Sequence, residues 1–225
     1  MNSSARLLLL FAVAAACAGA DLKQTLALVD QAAAGFRGVK AKIKKTDFTA
    51  VIKESAVETG RLTLRRSKAK DLKMLAEFTA PDERAVAFDG KKVQIYYPRL
   101  LTVQEYDLGK RSSLVDQFLA LGFGATSSEL SRNYDIKWGG EETLHGTPCG
   151  RLELTPKSEE SKQHVRLIEI WVSLKDGVTQ QQKIHQPSRD YKLITYTDIE
   201  INPPLTEEAT RLKLPKGVKK ETPQR

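Results

Sequence analysis

The sequence predicts a mainly β, α+β domain: a curved antiparallel sheet covered by an N-terminal helix and a helical lid. Three observations predict it. From Val39 onward, apolar and polar residues alternate with a period of two over roughly ten segments. Asp-Gly pairs at 89–90 and 176–177 stand between such segments, a short-range mark of hairpins. The period changes to that of a helix only at 21–37, 112–122 and 127–133. So many antiparallel strands in one domain must curl or close, and the apolar face they share has to be covered.

In the first element Leu22, Leu26, Val29, Ala33 and Phe36 recur at steps of three and four, one face of a helix that Asp21 can cap and Gly38 can end. Val39, Ala41 and Ile43 then alternate with Lys40, Lys42 and Lys44, as in a sheet wetted on one side. Phe48 to Ile52 reads as a continuation of this strand, and Gly60, Leu62 and Leu64 open the next. A basic cluster follows, Arg65, Arg66, Lys68, Lys70 and Lys73. It is either a solvated face or a docking patch for anionic headgroups or an acidic partner. Leu72, Met74, Ala76 and Phe78 resume the alternation until Pro81-Asp82.

Val86 and Phe88 share a face before Asp89-Gly90, and Val93, Ile95 and Tyr97 share one until Pro98. Val103, Glu105 and Asp107 alternate with Gln104 and Tyr106. Ser112 or Ser113 can cap a helix whose apolar stripe is Leu114, Val115, Phe118, Leu119 and Leu121, ending at Gly122. A second short helix fits Ser127 to Asn133. Because they interrupt the strands, these helices are expected to cross the open face of the sheet as a lid. Strands return at 134–138, 150–155, 165–174, 178–185 and 191–201. Leu212 and Leu214 precede Pro215-Lys216-Gly217-Val218, and the polar tail is expected to be mobile. No internal repeat or linker divides residues 21–225, which read as one domain.

The chain has 225 residues, 28% charged and 40% hydrophobic, enough for one sizeable core. Its formal charge of +8 favours anionic partners. Residues 1–20, MNSSARLLLLFAVAAACAGA, read as a cleaved export signal: one basic residue, an apolar run from Leu7, and Ala18-Gly19-Ala20 as the cleavage pattern. The run is shorter than the ~20 residues that span a bilayer. Export argues against a nucleic-acid partner and places the mature chain in the periplasm. Lipidation of Cys17 is the competing reading, disfavoured because Ala14 stands three residues before the cysteine in place of the usual leucine. Cleavage after Ala20 leaves Cys149 as the only thiol, so no disulfide supports the fold. Cys149, in the turn-like run 146–150, reads as a buried structural thiol.

No catalytic constellation emerges. His145, His164 and His185 fall on different segments without metal-ligand spacing. There is no G-x-S-x-G, no glycine-rich phosphate loop and no zinc-protease helix. Ser67-Lys68-Ala69-Lys70 matches S-x-x-K but lacks the partner motifs that chemistry requires. The pairs Glu141-Glu142, Glu159-Glu160 and Glu207-Glu208 read as solvated charge. The chain is therefore expected not to be an enzyme and to need no cofactor or metal. A lidded apolar sheet offers a cavity, and an acyl chain crossing water needs a container, since each CH₂ brought out of an apolar site costs about 0.8 kcal/mol. The pattern alone leaves open whether helices or a lipid fill that space.

The order of short motifs resembles the bacterial outer-membrane lipoprotein carriers, the LolA family. It runs from G60RLTLRR, through a strand ending in Thr79-Ala80-Pro81, to FDGKKVQIYYP. Leu154-Thr155-Pro156-Lys157, the Asp176-Gly177 hairpin and a closing strand over Leu212 to Val218, with the run LPKGV, follow in the same order. The resemblance spans nearly the whole mature chain. It implies an incomplete β-barrel covered by helices, a non-enzymatic periplasmic carrier for the acyl chains of lipoproteins. An inner-membrane release complex and an outer-membrane acceptor are implied as partners. It also implies that Arg66 helps hold the lid closed. Ser67 replaces the family's usual proline, and Met74 falls where the family has a phenylalanine. The cargo wall is expected at Leu62, Leu64, Met74, Phe78, Val93 and Ile95, with Leu114, Phe118 and Leu119 from the lid. The chain is expected to act as a monomer. The alternative is a non-transporting periplasmic module that senses lipids or lipoproteins.

Overall fold

The computed structural model describes residues 20–68, 71–109, 115 and 119–223. The leader before Ala20 lies outside them, and so do Cys17, Lys70, Ser112, Ser113, Leu114 and Phe118. Helix α1 (Leu22–Ala34) comes first, with Asp21 as its N-cap: its carboxylate accepts from the Gln24 N–H at 2.8 Å. The helix stops at Gly35 and not at Gly38, which already belongs to the first strand.

Twelve strands form one sheet. They are β1 (Gly38–Thr49), β2 (Glu54–Lys68), β3 (Asp71–Ala80), β4 (Arg84–Asp89), β5 (Lys92–Tyr97) and β6 (Thr102–Asp107). After the lid come β7 (Tyr134–Leu144), β8 (Thr147–Pro156), β9 (Leu167–Ser173), β10 (Thr179–His185), β11 (Tyr191–Ile201) and β12 (Lys219–Glu221). Their spatial order is β12-β6-β5-β4-β3-β2-β1-β11-β10-β9-β8-β7. All neighbours are antiparallel except β12, which runs parallel to β6. β7 and β12 are the two edges and do not pair with each other, so the barrel is incomplete, as expected.

The inner face carries two apolar clusters. One, with Leu152, Leu154, Ile168 and Ile170, is covered by α1 and by α2 (Ser127–Asn133). The other, with Val39, Ile43, Leu64 and Phe78, lies on β1 to β3. α2 falls where the sequence places it, and Thr126 and Glu129 close a capping box on it. The Asp30 carboxylate of α1 accepts from the Ser127 N–H at 2.7 Å and from its hydroxyl at 2.6 Å, tying the two helices together.

Several expectations need correction. Val51 and Ile52 do not continue β1. They sit 88% and 60% exposed at the tip of the β1–β2 hairpin, which turns through Lys53 in the left-handed region. β2 starts at Glu54 and runs through the basic cluster to Lys68, so Arg65 and Arg66 point to opposite faces instead of forming one patch. Arg65 lies 3.8 Å from Glu207 on the outer side, and Arg66 lies over the Phe36 ring on the inner side. Cys149 is in strand β8, not a turn, and is fully buried; desolvation pushes its thiol pKa up. Residues 159–162, for which no helix is expected, form a short helix α3 capped by Ser158. The closing LPKGV run is not a strand. The tail beyond it is not loose either, since 219–221 add to the sheet edge as β12. The missed feature is an apolar strip on the outer face: Leu75 and Tyr96 are buried there, beside Ala209 and Leu212 of the C-terminal segment.

Gly60 explains the start of the G-x-L motif. It stands at a register shift between β2 and β3, and a Cβ there would lie 2.1 Å from the Glu77 carbonyl oxygen. Gly60→Ala is expected to lower stability by about 2–3 kcal/mol, read from urea unfolding, because the backbone of β3 would have to shift.

Candidate functional site

A cavity of about 270 Å³ opens between the inner face of β1 to β4 and that of β10 and β11. Leu62, Leu64, Met74, Ala76, Phe78 and Val86 form one wall, Ile194 and Tyr196 face them, and Leu119 and Phe123 close the top. The strand period places these side chains together: Leu62 pairs with Ala76 and Leu64 with Met74, so all four share one face. A second cavity of about 260 Å³ lies beside it under α1, lined by Val29, Phe36, Leu121, Leu130 and Ile170 among others. Phe123 lines both cavities and stands between them.

One end of the first cavity has a charged rim. The Glu58 carboxylate accepts from Arg84 Nε at 3.0 Å and Nη2 at 2.7 Å, and from Lys45 Nζ at 2.9 Å. Lys45 also bonds Asp47, which holds Lys192 at 2.9 Å. Arg84 lies 4.3 Å over the Phe78 ring, so the cation packs on the apolar wall. Burial alone would push the Glu58 carboxyl up, but the hydrogen bonds and charges of Arg84 and Lys45 outweigh it and hold the group below its ordinary value. Asp47 is lowered in the same way by Lys45 and Lys192.

At the opposite end the covering segment is bonded to β2. Residues 119–122 form a helical turn, and the chain then passes through Gly124. Arg66 Nη2 donates to the Gly124 carbonyl at 2.8 Å, and its guanidinium lies 5.3 Å from the Phe36 ring centre. Gly124 has φ +86°, and a Cβ there would lie 2.5 Å from the Phe36 ring and 2.8 Å from Arg66. The latch therefore requires both the arginine and the glycine. Burial lowers the Arg66 pKa while Glu129 opposes that shift, and the group remains a cation at any working pH.

The structure brings together Leu62, Leu64, Met74, Phe78 and Leu119 of the predicted wall. Val93 and Ile95 are half-buried on β5, opposite Phe88 and Val86, and stand outside this cavity's lining. Sequence reasoning missed Lys45, Arg84, Phe123, Gly124, Gln182 and Tyr196. Lys45 and Gln182 are polar residues in an apolar phase, which alternation alone does not mark as functional. Among the described residues, no group of three or more His, Cys, Asp or Glu could hold a metal ion. His185 instead bonds Glu169 at 2.6 Å. Among the described residues, the cavity lining is mainly aliphatic and aromatic, with Lys45, Arg84, Gln182 and Tyr196 as its polar members.

The class of architecture is an open half-barrel whose apolar inner face is covered by helices and the 119–125 segment. No family model matches the chain. It is 30% identical over 140 residues to the outer-membrane lipoprotein carrier protein of Cupriavidus taiwanensis, covering 62% of this chain and 61% of that one. The corresponding carrier of Ralstonia nicotianae is 29% identical over 140 residues, 62% of this chain and 60% of its own. The chain thus spans about three fifths of the length of these curated relatives. The resemblance read from the motifs is borne out in sequence, and the relatives bear the name of a carrier, not of an enzyme. Among solved structures, MucB is similar with a TM-score of 0.52 and 14% identity, over 85% of this chain and 62% of MucB. An uncharacterized conserved protein from Thermus thermophilus has a TM-score of 0.55 and 12% identity, over 89% and 98% of the two chains. At these identities the likeness is one of fold.

Two outcomes follow. Arg66→Gln is expected to speed hydrogen exchange of the amides at 119–125 about tenfold, with β7 to β9 unchanged, because one charge-assisted bond to the lid is lost. Glu58 has a folded pKa below its ordinary 4.5, so its stabilisation is full above that pH and is lost as the pH falls through the lower folded value. Glu58→Gln should therefore be less stable than wild type at pH 7, and melting curves should converge as the pH drops below 4.

Proposed function

We propose that this chain is a periplasmic carrier that holds the acyl chains of lipoproteins, or of other acylated lipids, in the lidded cavity and moves them from the inner to the outer membrane. The observation that carries the proposal is the cavity itself: an apolar interior whose cover rests on apolar contacts and is fixed by an arginine–carbonyl bond at Gly124. The name of the sequence relatives, outer-membrane lipoprotein carrier protein, supports the same reading. Residues 1–20 act as a cleaved export signal and residues 21–225 as the carrier domain. An inner-membrane release complex loads the protein, an outer-membrane acceptor unloads it, and the protein works as a monomer.

In this reading the latched state is the empty one. Each cavity is slightly below the ~300 Å³ at which ligand sites begin. Phe123 divides them, so lifting the 119–124 segment joins the two spaces into a volume suited to an acyl chain. Arg66 sets how easily that happens. The charged rim at Glu58 bounds the other end while leaving Phe78 on the inner wall.

Mass spectrometry of protein purified gently from membranes should find a bound acylated molecule. Met74→Trp, which fills the cavity from a half-buried position, should weaken binding of a fluorescent acyl probe tenfold or more while leaving the fold intact. Absence of any acyl ligand, together with no gain in melting temperature on adding one, would rule the carrier out. Binding without transfer of a labelled lipoprotein between membranes would instead favour a sensing module.

A further inference from the structure

The first cavity is not uniformly apolar. Gln182 of β10 and Tyr196 of β11 both line it, and both are buried, at 6% and 4% exposure. Gln182 Nε2 donates to the Tyr196 hydroxyl at 2.6 Å, and the Gln182 carbonyl oxygen has no hydrogen-bond partner among the described residues. In this orientation the Tyr196 proton is free to be donated and the Gln182 oxygen is free to accept. Turning the amide over reverses the roles: Tyr196 then donates to Gln182 and keeps a lone pair, while the amide N–H becomes the open donor. Either way, one donor and one acceptor stand open side by side. The two ends of an amide are roughly 2.2 Å apart, which holds the open positions near enough for one atom, about 2.8 Å from each, to meet both. Lys45 and Arg84, the other polar members of the lining, are already engaged by Glu58 and Asp47.

The hydrogen-bonding inventory of a ligand group decides whether it fits. An ionised carboxylate or phosphate would lose its water with no free cation beside it among the described lining residues. A primary amide or a water molecule can meet both positions, but each carries further polar groups that Ile43, Leu62, Leu64 and Ile194 cannot satisfy. A hydroxyl on an aliphatic chain donates once and accepts once through a single oxygen, and its chain lies against those apolar walls. Burial pushes the Tyr196 pKa well above its ordinary value, so the phenol meets such a group in its neutral form. Gly122 of the covering turn is a second, independent observation. It is helical, where alanine is the better helix former, and its φ is not in the left-handed region, so the backbone does not require a glycine. A Cβ there would lie 3.3 Å from the Tyr196 hydroxyl and 3.8 Å from the Gln182 oxygen, crowding the one and covering the other. The turn thus keeps side chains off the pair at the place that opens when the segment lifts.

We propose that Gln182 and Tyr196 form a subsite for a hydroxyl carried on an aliphatic chain, its one oxygen accepting from one member of the pair and donating to the other. This rests on the carrier reading above and adds to it a preference within the cargo. The probes are 1-decanol and 1-methoxydecane, an ether that accepts but cannot donate. Each competes with a fluorescent acyl probe on wild type, Gln182→Leu and Tyr196→Phe. Each variant is expected to weaken decanol about tenfold, the effect of one lost hydrogen bond, and to bind the ether no more weakly than wild type does. Retained ether binding also shows that the cavity is intact, and Gln182→Met or Tyr196→Leu replaces a variant that fails to melt cooperatively. 5-Decanol, run beside the other probes, tells a mid-chain hydroxyl from one at the chain end, and the expected pattern from either alcohol upholds the subsite. If neither alcohol is weakened in both variants, or the ether weakens equally, the pair holds at most an ordered water; the subsite is then overturned and the carrier reading stands. Failure of all three probes to bind wild type overturns the two together.

Discussion

An open sheet of twelve strands with an apolar inner face cannot cover itself, and the rest of the molecule is arranged around that constraint. A closed barrel would bury its interior with strands alone, but here β7 and β12 end the sheet apart. The inner face is covered instead by α1, α2 and the 119–125 segment. That segment is anchored in both apolar clusters at once, Leu121 in one and Phe123 in the other. Burial of two such side chains contributes several kcal/mol, at roughly 1.5–3 each. The hydrogen bond from Arg66 to Gly124 adds only about 1–3 kcal/mol to that. The cover is thus held mainly by contacts that an acyl chain could replace, and the directional bond fixes where it closes.

The two ends of the cavity are built on different physics. At the lid end a lone guanidinium is packed on Phe36 and bonded to a main-chain carbonyl, so its cost of opening is small. At the rim Lys45, Glu58, Arg84, Asp47 and Lys192 form a half-buried network in which every charge has a partner. Removing one member of such a network strands the others, which makes it stiffer than any isolated surface pair. The asymmetry favours movement at the lid and rigidity at the rim.

The strands were legible because one face of each is buried: the alternation in 39–43, 72–78 and 191–201 follows directly from that. α2 was legible from its capping chemistry. Val51 and Ile52 were misread because an apolar pair at a hairpin tip has the same pattern as the end of a strand; only the turn at Lys53 separates them. The tail was misread because β12 is a short run, Lys219-Lys220-Glu221, that pairs through its backbone with Thr102 to Gln104, far earlier in the chain. No local pattern records such a contact. The cavity wall was half legible for a similar reason. Leu62, Leu64, Met74 and Phe78 announce themselves by phase, whereas β10 reads TQQQKIH, and nothing in that run marks Gln182 as inward-facing.

The position of the inward polar pair is physically informative. A sheet selected only to pack its own helices gains nothing from Gln182 at a buried position, where leucine would contribute more and leave no acceptor unmet. The cost is tolerated at the point where the lid passes closest, beneath Gly122. Gly122 itself contributes no side chain to shield the pair. Unmet polarity beneath a removable cover lowers the stability of the closed, empty state relative to a filled one. It therefore acts in the same direction as the undersized, divided cavity: both leave the closed interior short of full packing.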